Sequence, residues 1–205
     1  MENGVIINGI GVSPGVIIGP VYLWSREALH VPERKIAQEE VQSEIVRLEN
    51  ALMETRKQIR NIQKDVERQI VAGDASIFDA HLMVLDDRTL IEEIITDMRT
   101  KLVNVDVVVK SVCDRYAQIL ASVEDDYLRE RVADVRDVSR RIIRNLTGHA
   151  DSSLNDMPQK HIIVAADLAP SETAVLRKDI VMGIATDLGS PTSHTAVMAR
   201  ALEIP

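Results

Sequence analysis

Histidine is the residue type best suited to group transfer at neutral pH, because its imidazole acts as a base or as a nucleophile. The chain has five histidines, at positions 30, 81, 149, 161 and 194, and no two of them are three or four residues apart. A helix needs that spacing to present two metal ligands on one face. The sequence therefore predicts no metal site, although one assembled from distant residues stays open.

His194 is the histidine whose surroundings suggest a reaction. It follows the short loop 187–191 and opens the helix predicted over 192–204, where Thr192 and Ser193 precede it. A helix N-terminus offers unpaired N–H groups and a partial positive charge, which suit a phosphate and disfavour a protonated imidazole. A neutral ring at this place is a nucleophile that could carry a phosphoryl group. Judged by position alone, the simpler interpretation that His194 merely lies near a helix cap is favoured.

The elements that must position His194 belong to an α/β unit. Short runs of Val and Ile bounded by Gly and Pro predict strands near 5–10 and 16–23, and further strands at 161–166 and 179–186. A helix is expected over 171–178, with Ser171 at its N-cap. We expect the N-terminal strands to share one sheet with the later two.

A helical region separates the two halves of that unit. Residues 33–147 contain no proline, and their apolar residues recur mostly at steps of three and four. The predicted helices run over about 35–70, 75–85, 88–101, 105–121 and 126–146. Short loops between helices indicate a bundle. We therefore divide the chain into an α/β domain, 1–32 with 148–205, and an inserted helical domain, 33–147.

Composition excludes several classes of function. The net charge is −8 and aromatic residues make up 2% of the chain, which argues against nucleic-acid binding. No apolar run approaches the roughly 18 residues of a membrane span, and the N-terminus lacks the basic flank of a signal peptide. A single cysteine, Cys113, excludes a disulfide framework, and we expect it to be a small buried residue. These features predict a cytoplasmic protein that binds neither membranes nor nucleic acids.

Several strings resemble enzyme I of the phosphoenolpyruvate:sugar phosphotransferase system. They are SPG at 13–15, AHLMVLDD at 80–87, EDDYLRERVADVRDVSRR at 124–141, AADLAPSETAVL at 165–176 and TSHTAVMARALEIP at 192–205. The resemblance covers essentially the whole chain, in order. It implies an α/β phosphohistidine domain of the swivelling type with an inserted all-α bundle. Pyruvate phosphate dikinase and phosphoenolpyruvate synthase share the TSH element but are not expected to share the helical strings.

The resemblance also implies roles for residues near His194. The histidine of TSH accepts a phosphoryl group, expected on Nε2, and passes it to the carrier protein HPr. Thr173 is expected to hydrogen-bond the other ring nitrogen and orient the ring. Gly189, Thr192 and Ser193 belong to the phosphate loop, and Arg200 either neutralises the phosphate or pairs with a carboxylate. Ser190 and Pro191 depart from the family's pattern of two glycines and a variable residue that is often basic. We expect this departure to affect the loop geometry and the rate of phosphoryl transfer, and not the chemistry.

The helical domain is expected to bind HPr, whose contact face is apolar and ringed by basic groups. The positions that match the family's docking surface are Met83, Val84, Asp87, Leu90, Leu120 and Arg131. For each of the apolar residues, a place in the core is the favoured interpretation, because apolar residues at helical spacing are usually core.

Other implied features concern the full-length enzyme. The family binds phosphoenolpyruvate and Mg²⁺ in a C-terminal barrel domain, which also forms the homodimer. This sequence ends after EIP at 203–205, so we expect it to be an N-terminal part of a longer protein that itself holds no cofactor. Three alternatives stay open: a dikinase or synthase relative, a non-catalytic partner-binding module, and the nitrogen-linked branch in place of sugar uptake.

Overall fold

Helices and a small sheet make up the fold in this computed structural model, which describes residues 4–25, 29–69, 77–149, 154 and 159–205. Strand β1 is Val21–Trp24, and it is followed by the five helices of the bundle. These are α1 (Val41–Gln69), α2 (Ile77–Leu85), α3 (Arg88–Lys101), α4 (Val105–Ala121) and α5 (Asp126–Thr147). The chain then forms β2 (His161–Ala165), α6 (Pro170–Thr173), β3 (Val181–Thr186) and α7 (His194–Ala201).

Apolar residues at helical spacing build the core of the bundle. On α3, Leu90, Ile94 and Met98 follow one another at four-residue steps and are all buried, as an inward-facing stripe requires. The Asp87 side chain caps α3 by accepting hydrogen bonds from the backbone N–H groups of Thr89 and Leu90, at 2.8 and 3.3 Å. The predicted spans 88–101 and 105–121 are confirmed.

The first helix begins later than predicted. Residues 38–40 form a short 3₁₀ turn, and α1 starts at Val41 rather than near residue 35. Before that turn the chain is extended: the Ile36 N–H donates to the Leu102 carbonyl at 3.0 Å, and the Asn104 N–H donates to the Arg34 carbonyl at 2.9 Å. These backbone bonds to the α3–α4 turn keep residues 34–36 out of the helix. The start predicted near 75 for the second helix lies outside the described residues.

The sheet is parallel and has the order β1-β2-β3 in the described residues. Val21 to Trp24 pair with Ile162 to Ala165, so the strand before the bundle lies beside the strand after it. The chain leaves the sheet after β1, forms the whole bundle and returns as β2. This confirms the predicted fold class, an α/β domain with an inserted all-α bundle. The boundaries proposed at 32/33 and 147/148 stay predictions.

Two details of the α/β half differ from expectation. Of the strands predicted near 5–10 and 16–23, only residues 21–23 pair in the sheet, as part of β1, and residues 4–20 have no strand structure. The helix expected over 171–178 is the four-residue α6, and its N-cap is Ala169 rather than Ser171. The Glu172 carboxylate accepts the Ala169 N–H at 2.6 Å and so closes the start of α6 two residues earlier. Among the described residues, no helix combines the length and apolar composition that a bilayer span requires.

Candidate active site

His194 is the first residue of α7 and is half-buried. Ser193 is the N-cap, and its hydroxyl accepts the Ala196 N–H at 3.3 Å. The backbone N–H groups of His194 and Thr195 lie at the open end of the helix, where an α-helix has no acceptor of its own. The imidazole is thus placed at a terminus that favours negative charge, as the sequence predicted.

The loop before His194 is turned by Gly189 and then held by hydroxyl groups. Gly189 has a φ of +131°, in a region that side chains rarely adopt. The Ser190 and Thr192 hydroxyl oxygens lie 3.0 Å apart, and the Ser193 N–H donates to the Ser190 carbonyl at 3.0 Å. Ser190 has no positive φ. The loop therefore turns at a single glycine, and replacement of the family's second glycine by serine leaves a regular turn.

An open cleft of about 240 Å³ surrounds the His194 ring. One wall is the loop and the start of α7. A second wall comes from Asp167, Leu168 and Pro170 before and within α6, and Ala133 of the bundle also lines the cleft. Thr195 joins the two walls, because its hydroxyl donates to the Leu168 carbonyl at 3.4 Å. Pockets for small molecules are usually about 300–1,000 Å³, so this cleft suits a group carried on the ring better than an enclosed substrate.

The predicted site residues fall into two groups. Gly189, Thr192 and Ser193 line the cleft with His194. Thr173 is fully buried, and its hydroxyl donates to the carbonyls of Pro170 and Ala169, at 3.0 and 3.3 Å. No hydrogen bond joins Thr173 to His194 in the part of the chain that the structure describes. Its orienting role stays a prediction, and the contact expected for it is not formed in this conformation.

Arg200 binds backbone carbonyls. Its guanidinium donates to two backbone carbonyls, those of Val12 and Pro191, at 3.2 and 2.9 Å. It lies in the last turn of α7 and is not among the residues that line the cleft. Through these two contacts Arg200 ties the N-terminal segment to the loop before His194, and it pairs with no carboxylate among the described residues. Its role towards the phosphate stays a prediction.

The proposed docking residues are only partly exposed. Met83 is 74% exposed, whereas Val84, Leu120 and Arg131 are half-buried. Leu90 is 4% exposed and packs in the core, which corrects its assignment to the docking face. Asp87 is exposed.

Asp87 lies near the end of α4, close to Tyr116. Burial raises the pKa of Tyr116 to about 12, with further contributions from Glu93 and Asp87. Asp87 therefore lies near Tyr116, one turn before Leu120 on α4. The α2–α3 turn and the end of α4 form one side of the bundle.

Sequence reasoning missed a buried group beside the cleft. His81, Asp134 and Asp137 are buried together with Ser171 of α6. The two aspartates occupy the otherwise apolar inner face of α5, next to Val135 and Val138. Acidic residues on an apolar helix face are a signal that could have found them.

Among the described residues, no three His, Cys, Asp or Glu side chains are grouped as a metal site would require. The Mg²⁺ expected for a further domain stays a prediction about the full-length enzyme.

Two family models match the chain. Residues 8–131 match the model described as the N-terminal region of PEP-utilising enzymes, and residues 157–205 match the mobile domain of PEP-utilising enzymes. The first match covers the segment before the bundle and the bundle as far as the first residues of α5, and the second covers the part of the α/β domain that carries His194.

Curated proteins named phosphoenolpyruvate-protein phosphotransferase are similar along the chain. Those from Haemophilus influenzae and Staphylococcus aureus are each 36% identical over 200 residues, or 98% of this chain and 35% of the relative. The one from Geobacillus stearothermophilus is 36% identical over 199 residues, or 97% of this chain and 34% of the relative. The chain thus spans about a third of these relatives.

Two solved structures share the fold. A solution structure of an Enzyme I protein is 41% identical, with a TM-score of 0.76 over 95% of this chain and 78% of that one. The N-terminal domain of "Enzyme 1 - Nitrogen" is 29% identical, with a TM-score of 0.63 over 95% of this chain and 79% of that one.

Proposed function

The chain belongs to the family of PEP-utilising enzymes, and from that premise we propose that it is the phosphohistidine-bearing part of a phosphoenolpyruvate-protein phosphotransferase. The curated relatives named above support this assignment over a dikinase or a synthase. The observation that carries the proposal is the position of His194, at the N-terminus of α7 in an open cleft next to the bundle.

The proposed reaction is a reversible phosphoryl transfer. Nε2 of His194 attacks the phosphorus of a phosphorylated histidine on the carrier protein HPr. The new P–N bond forms as the donor P–N bond breaks, and the donor imidazole leaves with its electron pair. In the cellular direction, phosphoenolpyruvate bound to another domain phosphorylates His194, and HPr then takes the group. The α7 terminus and the Thr192 hydroxyl, which lines the cleft, stabilise the charge on the transferred oxygens.

HPr is proposed to dock on the side of the bundle formed by the α2–α3 turn and the end of α4. Met83 supplies exposed apolar surface and Asp87 supplies a negative charge for a basic rim. Arg131 belongs to α5, the same helix as the cleft residue Ala133. Docking here would bring the carrier's histidine towards His194, as in-line transfer requires.

The nucleophile is tested by phosphorylation with HPr that has been charged by a full-length enzyme I and phosphoenolpyruvate. Wild-type protein is expected to take up one phosphate that is labile in acid and stable in base, and His194→Ala none. His149→Ala is a matched control, because His149 is an exposed histidine outside the cleft. Circular dichroism checks that each variant is folded. Phosphate found by mass spectrometry on His149 or His161 would contradict the assignment.

The docking surface is tested by exchanging one exposed methionine for aspartate. Met83→Asp puts a charge into the proposed apolar contact and should raise the KM for phosphorylated HPr without changing the kcat. Met53→Asp is the matched control, because Met53 is 57% exposed but lies on α1. Equal KM values for the two variants would reject this docking surface.

A further inference from the structure

A buried polar network connects the bundle to α6. Asp137 of α5 has one carboxylate oxygen 3.2 Å from Nε2 of His81. The same oxygen accepts the Ser171 N–H at 3.1 Å, and the other accepts the Ser171 hydroxyl at 2.9 Å. Asp137 is 6% exposed, His81 1% and Ser171 8%. One carboxylate therefore binds α2 of the bundle and α6 of the α/β domain at the same time.

The charge of Asp137 suits this task. Burial by itself raises the pKa of Asp137, but the hydrogen bond and charge of His81, with Arg141 and the Ser171 hydroxyl, outweigh it and lower the pKa. The carboxylate is thus ionised at neutral pH, and the hydrogen bonds that it accepts are charge-assisted. On the far side of the ring, Nδ1 of His81 lies 3.8 Å from Oδ1 of Asp134. That oxygen atom has no hydrogen-bond partner in the described residues.

This network lies directly behind the cleft. Pro170 and Leu168, which line the cleft with His194 as part of its second wall, flank the N-cap of α6. Ser171 is the next residue, so its two hydrogen bonds fix the position of that wall. Ala133, the bundle residue in the cleft, precedes Asp137 by four residues on α5 and lies on the same face of that helix. Helix α5 therefore both lines the cleft and holds its wall.

We propose that Asp137, held by His81, is a positioning residue for phosphoryl transfer at His194. It fixes α6, and through α6 the second wall of the cleft, relative to the bundle on which the carrier docks. The inference rests on the proposed function. Because transfer needs donor and acceptor in line, a shift of about 1 Å in such a wall costs about a hundredfold in rate. Substrate affinity does not depend on this contact.

The experiment measures kcat and KM for transfer from phosphorylated HPr at a temperature below the melting range of every variant. Ser171→Ala removes one of the two hydrogen bonds from the α6 side, and Asp137→Ala removes both. We expect the kcat to fall about tenfold in the first variant and up to a hundredfold in the second, with the KM unchanged. Asp137→Asn keeps an acceptor for the Ser171 N–H and should restore part of the kcat.

Glu44→Gln is the matched control. Glu44 is also a buried carboxylate of the bundle that accepts a backbone N–H, from Val105 at 2.9 Å, but it does not line the cleft. Its variant should lose thermal stability and keep its kcat. An equal fall in kcat for Glu44→Gln would mean that general loosening is the cause, and would overturn the positioning role.

The remaining outcomes separate this inference from the proposed function. If wild-type protein accepts no phosphate, the proposed function fails and the inference fails with it. If wild-type protein is phosphorylated and Ser171→Ala and Asp137→Ala transfer at its rate, only the positioning role fails. If Asp137→Ala does not fold, Ser171→Ala decides alone: an unchanged kcat overturns the role, and a lower kcat at constant KM supports it.

Discussion

Gly189 provides a direct test of how backbone geometry supports the cleft. Its φ of +131° is strained for any residue with a Cβ, and an added Cβ would lie 3.4 Å from the Ser193 hydroxyl oxygen. Such strain costs about 1–3 kcal/mol. For a domain of this size, each kcal/mol lowers the melting temperature by about 2–4 °C. Gly189→Ala should therefore lower the melting temperature by about 2–12 °C.

Gly189→Ala should slow phosphoryl transfer by more than its loss of stability alone would explain. The loop can relieve the strain only by moving Ser193, which caps α7, and His194 moves with it. Single-turnover transfer from phosphorylated HPr should slow by about tenfold to a hundredfold. Gly148→Ala is the control for strain, because Gly148 has a φ of +69°, has no neighbour within 4 Å and ends α5 far from the cleft loop in sequence.

Gly11→Ala is the control for the substitution itself, because Gly11 has open space and no positive φ. We expect Gly148→Ala to lose stability and keep its transfer rate, and Gly11→Ala to lose neither. A Gly189→Ala protein as stable and as fast as Gly11→Ala would refute the role assigned to this glycine. Equal slowing in Gly148→Ala would refute the link between the loop and the histidine.

Three further predictions concern packing and protonation. Leu90→Ala should lower the free energy of unfolding by about 2–5 kcal/mol in chemical denaturation, because Leu90 is buried. Met83→Ala should lower it by less than about 0.5 kcal/mol, because Met83 is exposed. Equal losses in the two variants would contradict the assignment of Leu90 to the core. Burial raises the pKa of Cys113 to about 11, so iodoacetamide at pH 8 should modify it only after unfolding, and rapid reaction of the native protein would contradict its burial. The pKa of Asp137 is lowered despite burial, chiefly by His81, so the folded protein binds fewer protons at this carboxylate than the unfolded chain. The ionised Asp137 therefore adds to the free energy of unfolding above about pH 4, and this stabilisation is lost as the pH falls further. In urea unfolding, the stability of Asp137→Asn should depend less on pH than that of wild-type protein in that acidic range.

The helices could be predicted because their signals are local and repeated. Over 88–101 the apolar stripe spans several turns, and Asp87 supplies a cap at its start. The prediction of the N-terminal strands was wrong because strand formation depends on distant residues. A run of Val and Ile at 5–10 has the local composition of a strand, but a strand also needs a partner backbone, and the described residues provide one only for 21–24.

The residues of the site also divide into those that local sequence positions and those that only the packing of distant elements brings together. His194, Gly189 and Ser193 lie within six residues of one another, so their arrangement follows from one loop and one helix start. The donors of Thr173 and Arg200 each had several acceptors within reach, and the sequence does not say which is nearer. His81, Asp137 and Ser171 are 56 and 34 residues apart, so only the packing of three elements brings them together.

The connectivity explains why a contact such as that of Asp137 is needed. The bundle is joined to the sheet by two chain segments, one after β1 and one before β2, and β1 and β2 are neighbours. Both connections attach the bundle at adjacent strands, so they fix its position beside the sheet at one place only. A third attachment, elsewhere on the bundle, is needed to fix its orientation, and Asp137 supplies one at α6. The carrier docks on the bundle in our proposal and the acceptor lies on α7, so the geometry of transfer depends on this third attachment more than on either connection.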